Sequence, residues 1–243
     1  MRSVFCALNC DRKTAIANFF AGYSEIGFAP REVVRNSGLL RIIAMANAKH
    51  LSRLREGVTV WNSWRADNPD IHPDLRQTDL RGWDLIEANL KGANLRQTKL
   101  SQAYLVAANL QDANLSGADL SRATLTGANL NRACLSRAYL RRTNFQRATL
   151  QRADLSKGYL RQADFSDAQL ERASLKQAYL RQARMARANL SRADLRGADL
   201  RDADLTDTIL FLTDLSSIVI ERNRLMALKQ GGDLSFIGAV AAG

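Results

Sequence analysis

Four sets of side chains in this 243-residue sequence have the types and spacings to do chemistry. Cys6 and Cys10 stand one helical turn apart, a separation that could seat two sulfurs on one metal ion. His50 and His72 could bind metal or move protons near neutral pH. Asn and Asp recur at multiples of five residues, as in Asn89, Asn94, Asn109, Asn114 and Asp119, and neighbouring carboxylates can serve as acid and base. Arg132, Arg152, Arg172 and Arg192 recur every twenty residues. So do Arg141, Arg161 and Arg181, each two residues after Tyr139, Tyr159 and Tyr179. Arg and Tyr together are side chains that interfaces favour.

The first three sets lead to no reaction. Two sulfurs without further ligands make no metal site, and neither histidine lies near a cysteine at metal-ligand spacing. There is no G-x-S-x-G elbow, phosphate loop or dinucleotide fingerprint. Asn and Asp beside a chain reversal hydrogen-bond the local backbone, which explains their recurrence without catalysis. A regular convex rod, derived below, also lacks a cleft. The sequence is read as a non-enzyme with no catalytic residue, cofactor or metal. The Arg and Tyr sets remain.

A repeat positions them. From Leu75 to Leu215 a leucine falls at nearly every fifth residue, with Phe145, Phe165 and Met185 as substitutes. Two residues before each stands a small residue, usually Ala, and between the two an Asn, Asp or other polar residue. The unit is A-(N/D)-L-x-x. Five residues advance an α-helix by about 500°, so the leucines would circle it. In a flat strand an odd period would send them to alternate faces. Locally, though, A-x-L is strand-like: Ala and Leu point one way, the middle residue the other. If the next two residues turn a corner, every Leu and Ala faces one axis. The echo of Tyr139, Tyr159 and Tyr179 at intervals of twenty then counts four sides per coil. Stacking at the ~4.8 Å sheet spacing gives seven to eight coils and a rod on the order of 35 Å tall.

The iterated A-(N/D)-L-x-x run resembles the pentapeptide-repeat family. That resemblance implies an all-β solenoid, a right-handed four-sided β-helix, over about 145 residues. The lead-in LREGVTVWNSWRADNPDIHPDLRQTDL is similar to a branch common in photosynthetic bacteria, in which the chain often starts near Met-Ala-Asn. Met45-Ala46-Asn47 matches, so residues 1–44 read as an upstream extension or a misplaced start. Residues 45–72 read as a helical N-terminal cap, 73–218 as the β-helix, and 219–243 as a C-terminal helical cap and tail. Leu51, Leu54, Val58 and Trp61 share one face of an amphipathic helix that stops by Asn68-Pro69. Trp83 takes an inward position too small for indole, so its ring is expected to project from the open end toward Trp61 or Trp64. Val219 to Gln230 reads as helix ended by Gly231-Gly232, and the final DLSFIGAVAAG as a fraying tail.

Formal net charge is +11. Between residues 121 and 193 there are fifteen Lys or Arg against four Asp or Glu; 194–214 has six Asp against two Arg. The expected function is a non-enzymatic scaffold that presents rigid basic Arg/Tyr faces to a protein partner, an acidic one by charge. Nucleic-acid binding by the basic band is the alternative. The family resemblance adds a third reading, a DNA mimic that protects a topoisomerase, which the positive surface opposes. A homodimer through an incompletely capped end is a further expectation. Cys134, at an outward position, reads as a free surface thiol, which suits the cytoplasm. The N-terminus lacks the apolar core of a secretory signal, and no apolar run reaches the ~18 residues of a membrane span.

Overall fold

The structure is a computed structural model and describes residues 46–221 together with the backbone of 240–242. The expectations for residues 1–44, including Cys6 and Cys10, lie outside the described residues. From Asp74 to Val219 the chain winds as a four-sided coil. Twenty-six parallel bridges each join a residue to the one twenty further on, from Asp74–Asn94 to Asp199–Val219. Faces 1 to 4 are numbered here by their first bridge residue: Asp74, Asp79, Asp84 and Asn89. Leu75 donates its N–H to the Asn94 carbonyl at 2.9 Å, and Asn94 donates to the Pro73 carbonyl at 2.8 Å. The same two bonds recur up the rod.

The corners explain the period of five. Every fifth residue from Gln77 to Ser217 has φ between 54° and 68°, the left-handed region, and only five of these are glycine. Each is the third residue of the turn that brings Ala88 N–H to the Leu85 carbonyl, or its equivalent, and φ > 0 there reverses the chain as a type II turn does. One N–H per unit has no ladder partner, and where the middle residue is Asn or Asp its side chain accepts it. Asn89 Oδ1 takes Lys91 N–H at 3.3 Å, Asp119 takes Ser121 at 2.9 Å, and Asp199 takes Arg201 at 3.2 Å. The carboxylates and amides at this position are turn locks.

Inside, the leucines and alanines of every face are buried, most of them with no exposed surface, except that Leu205 and Leu210 near the C-terminal end are only partly buried. Phe145 and Phe165 replace leucine one above the other, their rings stacked at 4.8 Å. Thr replaces Ala where its hydroxyl can be satisfied: Thr98, Thr143 and Thr213 donate to the carbonyls of Leu75, Leu120 and Leu190 in the coil below. Cys134 is 4% exposed, with Sγ 3.4 Å from the Ser136 hydroxyl, so it is no surface thiol. It occupies an outward position, but Asn114 and Asp154 pair with it from below and above. The inference of a reducing compartment from that thiol lapses.

The lead-in forms two helices rather than one. α1 spans Ala48–Arg55 and α2 Val58–Asp67. Gly57, at φ 104°, cannot continue a helix, so the continuous amphipathic face expected through Val58 is broken there. The pair supplies hydrogen bonds that a preceding coil would otherwise give. Asp74 N–H donates to His50 Nδ1 at 3.0 Å, and Asn47 N–H donates to the Asp74 carbonyl at 3.1 Å. Asn89 N–H donates to Asn62 Oδ1, and Trp61 Nε1–H donates to the Asn89 carbonyl. Arg65, 3% exposed, donates to the carbonyls of Asn68, Ile71 and Lys91. Trp61 is fully buried, and its ring meets that of Trp64 at 5.1 Å with the planes tilted by 46°. Trp83 is half-buried against the core, but no ring contact joins it to Trp61 or Trp64 among the described residues, contrary to expectation.

At the other end, Val219–Glu221 is a strand, β1, where a helix was expected. It pairs in parallel with β2, Val240–Ala242, in the stretch read as a fraying tail. Val219 continues the face-2 ladder through Asp199, and that register imposes extended backbone. The rest of the expected C-terminal helix lies outside the described residues.

Two predictions concern the cap. Arg65→Ala strips the donors from three carbonyls and should lower stability by about 3 kcal/mol in chemical denaturation. Arg65→Lys should not restore it, because an ammonium cannot span the same fork. His50 must stay unprotonated at Nδ1 to accept from Asp74. Burial lowers its pKa below 6.5, outweighing the opposing effect of Asp74, and Arg65 lowers it further. The unfolded chain therefore binds the proton first, so stability is complete above about 6.5 and falls as pH drops toward the folded value. Thermal unfolding across that window should show the fall, and His50→Gln should flatten it.

Candidate interaction surface

The Tyr column lies on face 2. Tyr139 and Tyr159 stack with centroids 5.0 Å apart and planes 9° from parallel; Tyr159 and Tyr179 stack at 5.3 Å and 3°. Each ring is about half exposed. The vertical line expected from the twenty-residue echo is present. Arg141, Arg161 and Arg181 stand beside the rings, all exposed, and Arg122 and Arg142 extend the same face. Between Ser121 and Gln182 this face carries no acidic residue. No guanidinium lies over a tyrosine ring among the described residues; the cation–π contact there is Arg65 on Trp64.

Replacing Asn or Asp by Tyr also removes the turn lock. Arg141, Arg161 and Arg181 occupy the position whose N–H the Asx side chain normally accepts. Among the described residues no hydrogen bond forms from these three amides. Face 2 thus shows a strip of hydrogen-bond donors: three free N–H groups one coil apart, flanked by guanidiniums. Arg161 reaches Gln182 Oε1 at 3.3 Å, and Arg142 reaches Gln162 Oε1 at 2.9 Å, neither of them a charge partner. Arg181 meets Asp202 at 3.5 Å, at the upper margin. Asp119 below and Asp199 above bound the strip. Sequence reasoning found the residues but missed the amides, although the absence of Asn or Asp before Leu140, Leu160 and Leu180 was the available signal.

The second Arg column lies elsewhere. Arg132, Arg152, Arg172 and Arg192 take the left-handed corner position at the end of face 4, with φ of 59–60°. Arg132 and Arg142 are ten residues, half a coil, apart, so the two columns lie on opposite sides of the rod. One flat partner cannot engage both, and the structure does not bring together the surface pooled from sequence. Arg132 is held by Asp112 through a paired contact at 2.6 and 2.8 Å, which keeps the carboxyl below its usual range. Arg187 and Asp167 repeat that arrangement on face 3. No group of His, Cys, Asp and Glu among the described residues could hold a metal ion, and no described helix is long and apolar enough to cross a membrane.

Comparison with known proteins fits this geometry. The pentapeptide repeats family matches in eight copies between residues 71 and 210. The chain belongs to the pentapeptide repeat family. Members of the family are right-handed four-sided β-helices, as the bridge pattern here requires of the side count. A pentapeptide repeat protein from the thylakoid lumen of Arabidopsis thaliana is 35% identical over 40% of this chain and 68% of its own, with a TM-score of 0.40. HetL, a pentapeptide repeat protein of the cyanobacterium Nostoc involved in heterocyst differentiation regulation, is 26% identical over 73% and 98%, with a TM-score of 0.23. QnrB1, a plasmid-mediated fluoroquinolone resistance protein, is 16% identical over 60% and 84%, with a TM-score of 0.25. Superposition scores of this size carry no argument, so membership rests on the repeats. No curated protein matches the chain.

The tyrosines can be tested without breaking this pentapeptide repeat fold. Tyr139→Asn, Tyr159→Asn and Tyr179→Asn together install the residue that the unit usually carries. Lost ring stacking, about 0.5–1.5 kcal/mol per pair, is offset by about 1 kcal/mol for each turn lock gained. Denaturation midpoints should therefore barely move. A loss of several kcal/mol would show that the rings are there for stability.

Proposed function

We propose that this protein is a non-enzymatic scaffold whose face 2 binds an acidic protein partner. The observation that carries the reading is the donor strip: free N–H groups of Arg141, Arg161 and Arg181, exposed guanidiniums, and no acidic side chain on face 2 between Ser121 and Gln182. Carboxylates are the matching chemistry, since charge-assisted bonds to them from N–H and guanidinium are the strong ones. The coil fixes the strip before any partner arrives, so binding does not have to order it. The tyrosines supply rigid apolar area between the charges.

Nucleic acid fits the strip less well. Proteins that bind single strands stack bases on open aromatic faces, and here the ring faces cover one another at 5.0 and 5.3 Å, leaving edges outward. Basic residues at the other corners, such as Arg137, Arg147 and Arg152, spread charge around the rod rather than forming a groove. A DNA mimic needs a negative surface, and this chain has a net charge of +11.

The test compares three full-length proteins: wild type, a face-2 variant (R141E, R161E, R181E) and a face-4 corner variant (R132S, R152S, R172S, R192S). Each is titrated with a fluorescent polyglutamate peptide and with a DNA oligonucleotide at about 50 and 200 mM salt. The peptide should bind wild type and the corner variant, and the face-2 variant should weaken it at least tenfold. Equal binding by the face-2 variant, or DNA binding that is tighter and falls steeply with salt, would overturn the reading.

A further inference from the structure

In the regular coils, each face closes its backbone on the coils before and after it. The first coil has none before it, and the helix pair α1–α2 replaces that coil only in part. Its hydrogen bonds go to Asp74, Glu87, Asn89 and Lys91, that is, to face 1, face 4 and the corner leading into face 4. On faces 2 and 3 the N–H groups of Asp79 and Asp84 form no hydrogen bond among the described residues. The same is true of the carbonyls of Asp79, Arg81, Asp84 and Ile86. Ile86 is 41% exposed here, and Trp83 is only half-buried. Among the described residues, half of the end is covered and half is an open rim.

From this we infer that the N-terminal ends of two copies join head to head about a two-fold axis perpendicular to the coil axis. The α1–α2 layer of each copy then sits on the open rim of the other. A helix is about 10 Å across, so the half-cap is a step, and a two-fold laid along its edge sets each step into its mate. An interface of this kind uses one patch twice. Charge agrees with the fit. α1 exposes Lys49, Arg53 and Arg55, none in an ion pair among the described residues. The open rim exposes Asp84, and the Glu87 side chain is exposed at its border with the cap, both without a cation among the described residues, while Asp79 is held by Arg81 at 2.6 Å. Val60 of α2, 39% exposed, adds an apolar contact for the half that carries Trp83 and Ile86. The pairing covers a strand edge, which folded proteins seldom leave bare. With half a coil end and two short helices meeting, the contact falls below the ~800 Å² per partner of a standard interface, and the dimer is concentration-dependent.

Sedimentation velocity of the full chain from low to high micromolar concentration tests this. Two charge-reversed variants are compared, one on the rim (D84K, E87K) and one on the cap (K49E, R53E, R55E), with circular dichroism to show that each keeps the wild-type spectrum. Wild type should shift from monomer to dimer as concentration rises. Each variant alone should stay monomeric, and an equimolar mixture should recover the dimer because both interface halves again carry opposite charges. A wild type that is monomeric throughout would overturn the proposal and leave the rim to another partner. So would a dimer indifferent to both reversals, as one formed through the exposed Ile209, Phe211 and Leu212 would be. Failure of the two folded variants to combine would also count against it.

Discussion

The bond from an inward leucine's N–H to a carbonyl nineteen residues ahead, as from Leu75 to Asn94, is the constraint on which the rest of the structure depends. It fixes the perimeter of a coil at twenty residues, because any other count would bring a corner opposite a side. The perimeter in turn forces left-handed backbone at each corner, even where the residue is Arg, Gln or Asp. Such conformations cost on the order of 1 kcal/mol or more apiece outside glycine. They persist because the leucine and alanine ladders on either side leave the chain no other closed path. Packing overrules local preference.

The same constraint sets what the exterior can be. Most middle positions spend their side chain on locking the turn, so an Asn or Asp there is consumed by the backbone. Face 2 departs from that economy where tyrosine takes the position three coils in succession. Three amides go unlocked there, and three rings stand in register. The exterior is thus divided between positions that hold the coil together and positions released to recognise something else.

Much of this was legible in the sequence. The period of five and the echo of twenty reach the coil because both describe the register directly, and Leu75 to Leu215 hardly deviates. Residues outside the repeat were harder. Leu51, Leu54, Val58 and Trp61 have helical spacing, but periodicity is blind to the φ of Gly57. Cys134 is outward by position yet buried by its column neighbours, a fact about stacking and not about spacing. Val219 looked helical by composition, whereas the ladder from Asp199 claimed it for a strand. Arg132 and Arg141 seemed parts of one surface because both recur by twenties, although half a coil puts them on opposite sides. Arg65 gave no sign in the sequence that it would become a buried hub of three carbonyls.

Backbone amide exchange, resolved by residue, reaches the central claim most directly. In the free protein, the N–H groups of Arg141, Arg161 and Arg181 should exchange at nearly unprotected rates, while those of Leu140, Leu160 and Leu180 stay strongly protected. On saturation with an acidic peptide, the three arginine amides should slow together. Fast exchange that persists at saturation, or protection already present in the free protein, would contradict the account.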